Sequence, residues 1–180
     1  MHRLVPGHYR SHRRSSDIQS GDRPINTTTI RDLLAVQPVL RELEAEDIDL
    51  MAGCGHNEVF EPGAFLARAD EAANHFFVIR EGKVAIELHA PTGSLMIETI
   101  GAGDLVGWSW LFSPNLWAYD VEAIERARVV VIEAACLRDK CEADPAFGYR
   151  VMKRFAHVMV DRLQATRLRL LDLYGSADAR

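Results

Sequence analysis

"HFFVIREGKVAIELHA", residues 75–90, is the stretch that decides the fold. Apolar and β-branched residues fill both halves, and Glu81-Gly82 divides them. Short runs of this composition, parted by a two-residue turn with glycine, predict a β-hairpin. Its neighbours have the same texture. Upstream, residues 56–60 make a short extended run closed by Glu61-Pro62-Gly63, and "AFLARA" (64–69) follows. Downstream, "SLMIETIGAGDLVG" (94–107) turns at Gly101 and Gly103, and "AYDVEAIE" (118–125) and "RVVVIEA" (128–134) come after it. About eight short strands with glycine turns at regular spacing predict a sandwich or jelly-roll barrel.

Helical patterns flank the strands. Ile30, Leu33, Leu34, Val36, Val39, Leu40 and Leu43 recur at three- and four-residue spacing, interrupted by Pro38. Another short helix is predicted over 47–51, with Gly53 as its stop. After the last strand comes a short helix, and then Asp144-Pro145, an N-cap followed by proline at the first helical position. From there to Tyr174 only Gly148 interrupts the helical pattern, and Gly175 is the expected stop. At 1.5 Å per residue such a helix runs for about 45 Å, further than the barrel can cover. Phe155, Met159, Leu163, Leu170 and Tyr174 form an apolar stripe, widened by Val151, Val158 and Leu173, and the dimer contact is expected at Val151, Phe155, Met159, Leu163 and Leu170. A stripe that outruns its domain predicts a homodimer through this helix; the competing expectation is that it folds back on its own barrel. The organisation expected is a basic disordered arm over 1–28, a helical lead-in and barrel over 29–134, and a short helix plus dimerisation helix over 135–180. The fold class is mainly β with α.

Composition narrows the function. The chain has 180 residues, is 48% hydrophobic and carries a formal net charge of −5. Arg3, Arg10, Arg13, Arg14 and Arg23 sit in the arm against Asp17 and Asp22, so the body is more acidic than the total. An acidic body is a poor partner for a phosphate backbone. No run of about 18 apolar residues is long enough to span a membrane, and no apolar run follows the basic N-terminus as in a secretory signal. A cytoplasmic protein is expected. In that setting Cys54, Cys136 and Cys141 are expected to be reduced thiols, mostly buried. His2, His8 and His12 lie in the arm without a second shell, and His56, His75, His89 and His157 are read as structural, so no metal or other cofactor is expected.

"GWSWLFSPNLWAYD", residues 107–120, holds Trp108, Trp110 and Trp117, all the tryptophans of the chain, with Phe112 and Tyr119 between and beside them. Such a cluster fills a core, forms a contact surface or lines a pocket. Buried indole N–H groups need partners, and Ser109, Asn115 and Asp120 are near in sequence. "GWSWL" approaches a nucleophile elbow, but Leu111 replaces the final glycine and no strand-to-helix repeat surrounds Ser109, so no enzyme is expected.

The order of elements and four motifs resemble the cyclic-nucleotide-binding domain, most nearly that of the bacterial cAMP-receptor-protein and fumarate–nitrate-regulator (Crp/Fnr) superfamily. The motifs are "FEPGAFL" (60–66), "FVIREGKVAI" (77–86), "GAGDLVG" (101–107) and Leu111-Phe112. The resemblance implies a phosphate-binding cassette over Gly107, Trp108, Ser109, Trp110, Leu111, Phe112, Trp117, Ala118 and Tyr119. In that family a glutamate takes the ribose hydroxyl and an arginine pairs with the cyclic phosphate. Here Trp108 stands at the glutamate position and Trp117 at the arginine position, and residues 108–125 contain no Arg or Lys. Removing one partner of a buried ion pair costs about 3–5 kcal/mol, or roughly two to three and a half decades in affinity.

The expected function is therefore a non-enzymatic regulatory or sensor module in signal transduction, with a degenerate pocket, acting through an unidentified effector protein. A noncanonical small ligand is open to it. The alternative is a working cAMP or cGMP receptor with a rearranged aromatic pocket, in which backbone amides near Gly107 and Ser109 hold the phosphate. A third possibility is a partner-binding protein with the aromatic cluster exposed. About five residues follow Gly175, too few for a helix-turn-helix, so direct sequence-specific DNA binding is not expected.

Overall fold

The computed structural model describes residues 28–90 and 93–177. The basic arm expected at the N-terminus, with its histidines, lies outside the described residues.

Helix α1 (Ile30–Ala35) begins at Thr29, whose side chain accepts from the Asp32 amide while Asp32 accepts from the Thr29 amide. This reciprocal capping box holds a helix of only six residues in place. Pro38 starts a single 3-10 turn, Pro38–Leu40, and α2 (Ala45–Ala52) ends at Gly53 as expected.

Eight strands follow: β1 (Gly55–Phe60), β2 (Phe65–Ala67), β3 (His75–Glu81), β4 (Lys83–Ala90), β5 (Gly93–Gly101), β6 (Leu105–Val106), β7 (Asp120–Ala123) and β8 (Ala127–Glu133). They form two four-stranded antiparallel sheets, ordered β1-β8-β3-β6 and β2-β7-β4-β5. The eight-strand jelly-roll expectation is thus correct in strand count and layering, but the hydrogen-bond ladders stay two separate sheets among the described residues, not one closed barrel.

One sequence reading is corrected outright. β3 and β4 are not a hairpin: β3 pairs with β6 and β8, whereas β4 pairs with β5 and β7. Glu81-Gly82 is the corner at which the chain leaves one sheet for the other. Gly82 has φ +79°, and a β-carbon there would stand 2.2 Å from the Arg126 carbonyl oxygen, so only glycine fits the corner. A corner and a hairpin share the same glycine signal; the choice between them is made by which strands pair.

β3 and β8 are buried on both faces, which is why they read as continuous apolar runs. On one face Phe77 meets Phe60 edge-on; on the other Phe76 packs edge-to-face on Phe155, their centroids 5.1 Å apart.

The helices close the second face. α3 (Ala134–Ala143) leads into α4 (Pro145–Ala177), whose first turn is capped by Asp144 Oδ1 accepting from the Ala146 and Phe147 amides. α4 runs through Gly175 rather than stopping there. Gly148 lets α3 approach: a β-carbon would lie 3.0 Å from the Cys141 carbonyl.

The apolar stripe on α4 divides. Val151, Phe155 and Val158 are buried against the sheet, whereas Leu163, Leu168, Leu170 and Leu171 are exposed, with Met159 between the two. Val151 and Phe155 are therefore buried in the core of the protomer, because the first half of α4 folds back on its own sheet.

Cys54 and Cys136 are also corrected: they are joined in a disulfide, with Cα atoms 5.6 Å apart, tying the α2–β1 junction to α3. Their pairing spans 82 residues and is set by tertiary proximity. Cys141 remains a free, half-buried thiol whose pKa is raised by burial and by Asp144 and Glu142.

Candidate functional site

The aromatic segment begins where β6 ends. Gly107 takes φ +98°, turning the chain sharply out of the strand, and Ser109–Leu111 follow as one 3-10 turn. The loop is then pinned against residues 68–74. The Trp117 amide donates to the Glu71 carbonyl at 2.9 Å, the Trp117 carbonyl accepts from the Asp70 amide at 2.9 Å, and the Ala73 amide donates to the Asn115 carbonyl at 2.7 Å. Asp120, 6% exposed, accepts from the Ala69 amide at 2.7 Å. Arg68 approaches the same carboxylate at 3.4 Å while its guanidinium lies 3.2 Å from the centroid of Phe65.

The three tryptophans have three different fates. Trp110 is 2% exposed and joins the core beneath α4, stacked on Phe76 at 5.7 Å and edge-on to Phe155 at 5.6 Å. Its Nε1 is buried without a partner among the described residues, contrary to the expectation that a neighbour in sequence satisfies it. Asn115 and Arg138 instead donate to the Trp110 carbonyl, at 2.8 and 3.1 Å. Trp117 is 8% exposed and stacks on Phe77 at 5.9 Å between the sheets. Its ring closes over Gly107. Trp108 is half-buried. Phe112 and Tyr119 are exposed, at 52% and 42%, and Leu111 is partly buried.

Between these residues lies a cavity of about 60 Å3. Gly107, Trp108, Ser109, Trp117, Ala118 and Tyr119 of the assigned cassette line it, together with Ile86, Val106 and Val121. Trp110, Leu111 and Phe112 do not line it; the 3-10 turn points Trp110 towards α4 instead.

One residue of the wall was missed by the sequence reading. Arg162, from α4, is 9% exposed and lines the same cavity. Its Cζ is 5.1 Å from the centroid of Trp108, its Nη2 donates to the Leu105 carbonyl, and Nη2 is 3.0 Å from Asp104 Oδ1. Its Nε and Nη1 are buried with no hydrogen-bond partner among the described residues. The absence of cations from 108–125 is real, but a cation reaches the pocket from a helix well downstream. The only local signal is that Arg162 falls four residues after Val158, on the buried side of the helix.

A second ion pair anchors α4 at its other end. Arg150 Nη2 is 2.6 Å from Asp47 Oδ1, and its Nε is 2.8 Å from Oδ2. Arg150, together with the Glu44 amide, holds the fully buried Asp47 carboxyl below the usual carboxylate range. His157 pairs with Glu42 at 3.3 Å, and Arg154 with the same carboxylate at 3.1 Å. Among the described residues no group of His, Cys, Asp and Glu has the arrangement of a metal site, and no helix is long and apolar enough to cross a membrane.

Residues 57–144 match the family model of the cyclic nucleotide-binding domain. The chain is similar to a crystal structure of a cyclic nucleotide-binding protein from Geobacter metallireducens, at 24% identity and a TM-score of 0.66, over 72% of this chain and 95% of that one. It is also similar to a cyclic nucleotide-binding domain from Methylobacillus flagellatus, at 16% identity and a TM-score of 0.70, over 79% and 83%. The sensor domain of the transcriptional regulator DNR from Pseudomonas aeruginosa superposes with a TM-score of 0.60 at 12% identity, over 74% and 91%. No curated protein sequence gives a significant match.

Proposed function

We propose that this chain, whose central residues are a cyclic nucleotide-binding domain of the Crp/Fnr-like fold, is a non-enzymatic regulatory module that does not bind cyclic nucleotides in the family's usual manner. The observation that carries this reading is the position of Trp117. Its ring occupies the space beside Gly107 and stacks on Phe77, leaving about 60 Å3. Pockets for drug-sized ligands are on the order of 300 Å3 or more. Neither the ribose carboxylate nor the phosphate-pairing arginine of the cassette pattern is present in residues 107–120.

The module transmits through α4. Arg162 joins that helix to the Trp108 side of the pocket and to the start of β6, so a change in the pocket alters how α4 is held. Leu163, Leu168, Leu170 and Leu171 leave an apolar face for a second copy or for an effector protein.

The alternative, a cyclic-nucleotide receptor with a rearranged pocket, draws support from Arg162 as a cation in the wall. Titration with cAMP and cGMP, followed by tryptophan fluorescence, separates the two. The module reading expects no saturable change up to millimolar nucleotide. Saturation in the low micromolar range, abolished by Trp117→Ala, would establish the receptor instead.

A further inference from the structure

α3 is a short helix whose attachments crowd into residues 136–141. Of its ten residues only Ala134 and Leu137 are buried, so apolar packing alone holds it weakly. Cys136 bonds to Cys54 at the α2–β1 junction. Arg138 Nη1 donates to the Trp110 carbonyl at 3.1 Å, in the cassette turn. Lys140 Nζ donates to the Leu50 carbonyl at 2.6 Å, near the end of α2. Cys141 packs against Gly148 of α4. One covalent bond and two hydrogen bonds thus fix a helix that touches the cassette at one point and α4 at another. The two hydrogen bonds last only while α3 keeps its place, and the covalent bond is the one that thiol chemistry can open.

From this arrangement we propose that the Cys54–Cys136 bridge is a redox switch: an external dithiol opens it, α3 loosens, and the cassette turn is released with it. The inference deepens the module reading and rests on it for the claim that the cassette and α4 carry the signal. The chemistry is thiol–disulfide exchange. A thiolate of the dithiol attacks the sulfur of Cys136, forming a mixed disulfide, and Cys54 leaves and takes up a proton. The second thiol of the dithiol then displaces Cys136, which is protonated in turn. The bridge gains two electrons and two protons, and the dithiol departs as a disulfide. Cys136 is the partly exposed partner whereas Cys54 is 5% exposed, which is why the exchange begins at Cys136. Cys141 offers no internal shortcut. It lies five residues from Cys136 on the same helix, on a different face, and burial raises its pKa so that little thiolate is present.

The test is hydrogen–deuterium exchange of the full chain, read by mass spectrometry, with and without dithiothreitol and in the absence of denaturant. The reporters are the α3 amides and those of Leu111 and Asn115, which donate to the Trp108 and Phe112 carbonyls within the cassette segment. The β3–β8 ladder is the internal reference. The bridge should be reduced in the folded protein. On reduction, exchange in α3 and at Leu111 and Asn115 should speed up by about 10- to 100-fold relative to the ladder, and oxidised glutathione should restore it. Arg138→Met separates a path through α3 from general loosening. With the bridge intact it should speed exchange at Leu111 and Asn115 but not in α3, and reduction should then add little at those two amides. A bridge that opens only as fast as the whole protein unfolds would overturn the proposal. So would alkylation of all three cysteines in the non-reduced protein, exchange that rises equally in α3 and the ladder as for a purely structural staple, or cassette amides that stay protected when α3 does not. The two readings fail separately. Micromolar cAMP binding overturns the module reading and leaves the exchange result standing, whereas any of the four outcomes above overturns only the switch.

Discussion

Trp117 and Gly107 touch so closely that no other residue fits at position 107: a β-carbon there would stand 2.5 Å from Cη2 of the indole. Gly107 also has φ +98°, a conformation that L-residues rarely adopt. Both constraints act on the same atom. Gly107→Ala should therefore destabilise the protein by about 2–4 kcal/mol, through left-handed strain and overpacking together. Urea denaturation followed by tryptophan emission checks this. An unchanged midpoint would mean that the Trp117 ring moves aside freely and that the pocket is open.

Asp47 and Arg150 make a second prediction, concerning pH. The folded state holds the Asp47 carboxyl below its ordinary value of 3.8 through the Arg150 hydrogen bonds. The unfolded chain thus binds the proton more readily. The stabilisation is fully present above about pH 4 and is lost as pH falls through the lower, folded value. Asp47→Asn should cost about 1–3 kcal/mol at neutral pH, since the charged hydrogen bonds go while the partly exposed Arg150 is rehydrated. It should also flatten the acid limb of the stability profile. Thermal melts of both proteins between pH 3 and 7 test the sign.

The Cys54–Cys136 bridge closes a loop with a sequence separation of 82. In the chain-entropy account such a closure stabilises by about 4.5 kcal/mol. Dithiothreitol, or the double substitution Cys54→Ser with Cys136→Ser, should lower the urea midpoint accordingly. Mass spectrometry of the non-reduced, alkylated protein should show one alkylated cysteine, Cys141.

The divided stripe on α4 predicts two different kinds of variant. Phe155→Ala empties a site against Phe76 and Trp110, and should cost about 3–5 kcal/mol of protomer stability. Leu163→Asp with Leu170→Asp alters only exposed positions and should leave the fold intact while weakening self-association. Sedimentation equilibrium decides this. A wild-type chain that is monomeric at micromolar concentration would remove the dimer and leave the apolar face to an effector.

Much of the architecture was legible because it is local. Gly53 and Asp144-Pro145 mark a helix stop and a helix start through their own backbone chemistry, and they sit where such residues act, whereas the Thr29 capping box was not read from the sequence and Pro38, read as an interruption, opens a 3-10 turn. Of the nine residues assigned to the cassette from the motif order, six line one cavity, and the other three are turned away from it by the 3-10 turn. Gly175 was misread as a stop because a glycine near a helix end is only a preference, and α4 continues across it.

What the chain order by itself determined was the inventory: eight strands, the flanking helices, and an aromatic turn without the usual cation. Tertiary structure alone decided which strands pair across Gly82, that Cys54 finds Cys136, that Phe155 is core while Leu170 is surface, and that Arg162 supplies the charge that residues 108–125 lack. The physical reason is common to all four. Periodicity and capping are energies between near neighbours, whereas pairing, burial and charge compensation depend on which distant groups the packed layers bring within a few ångströms.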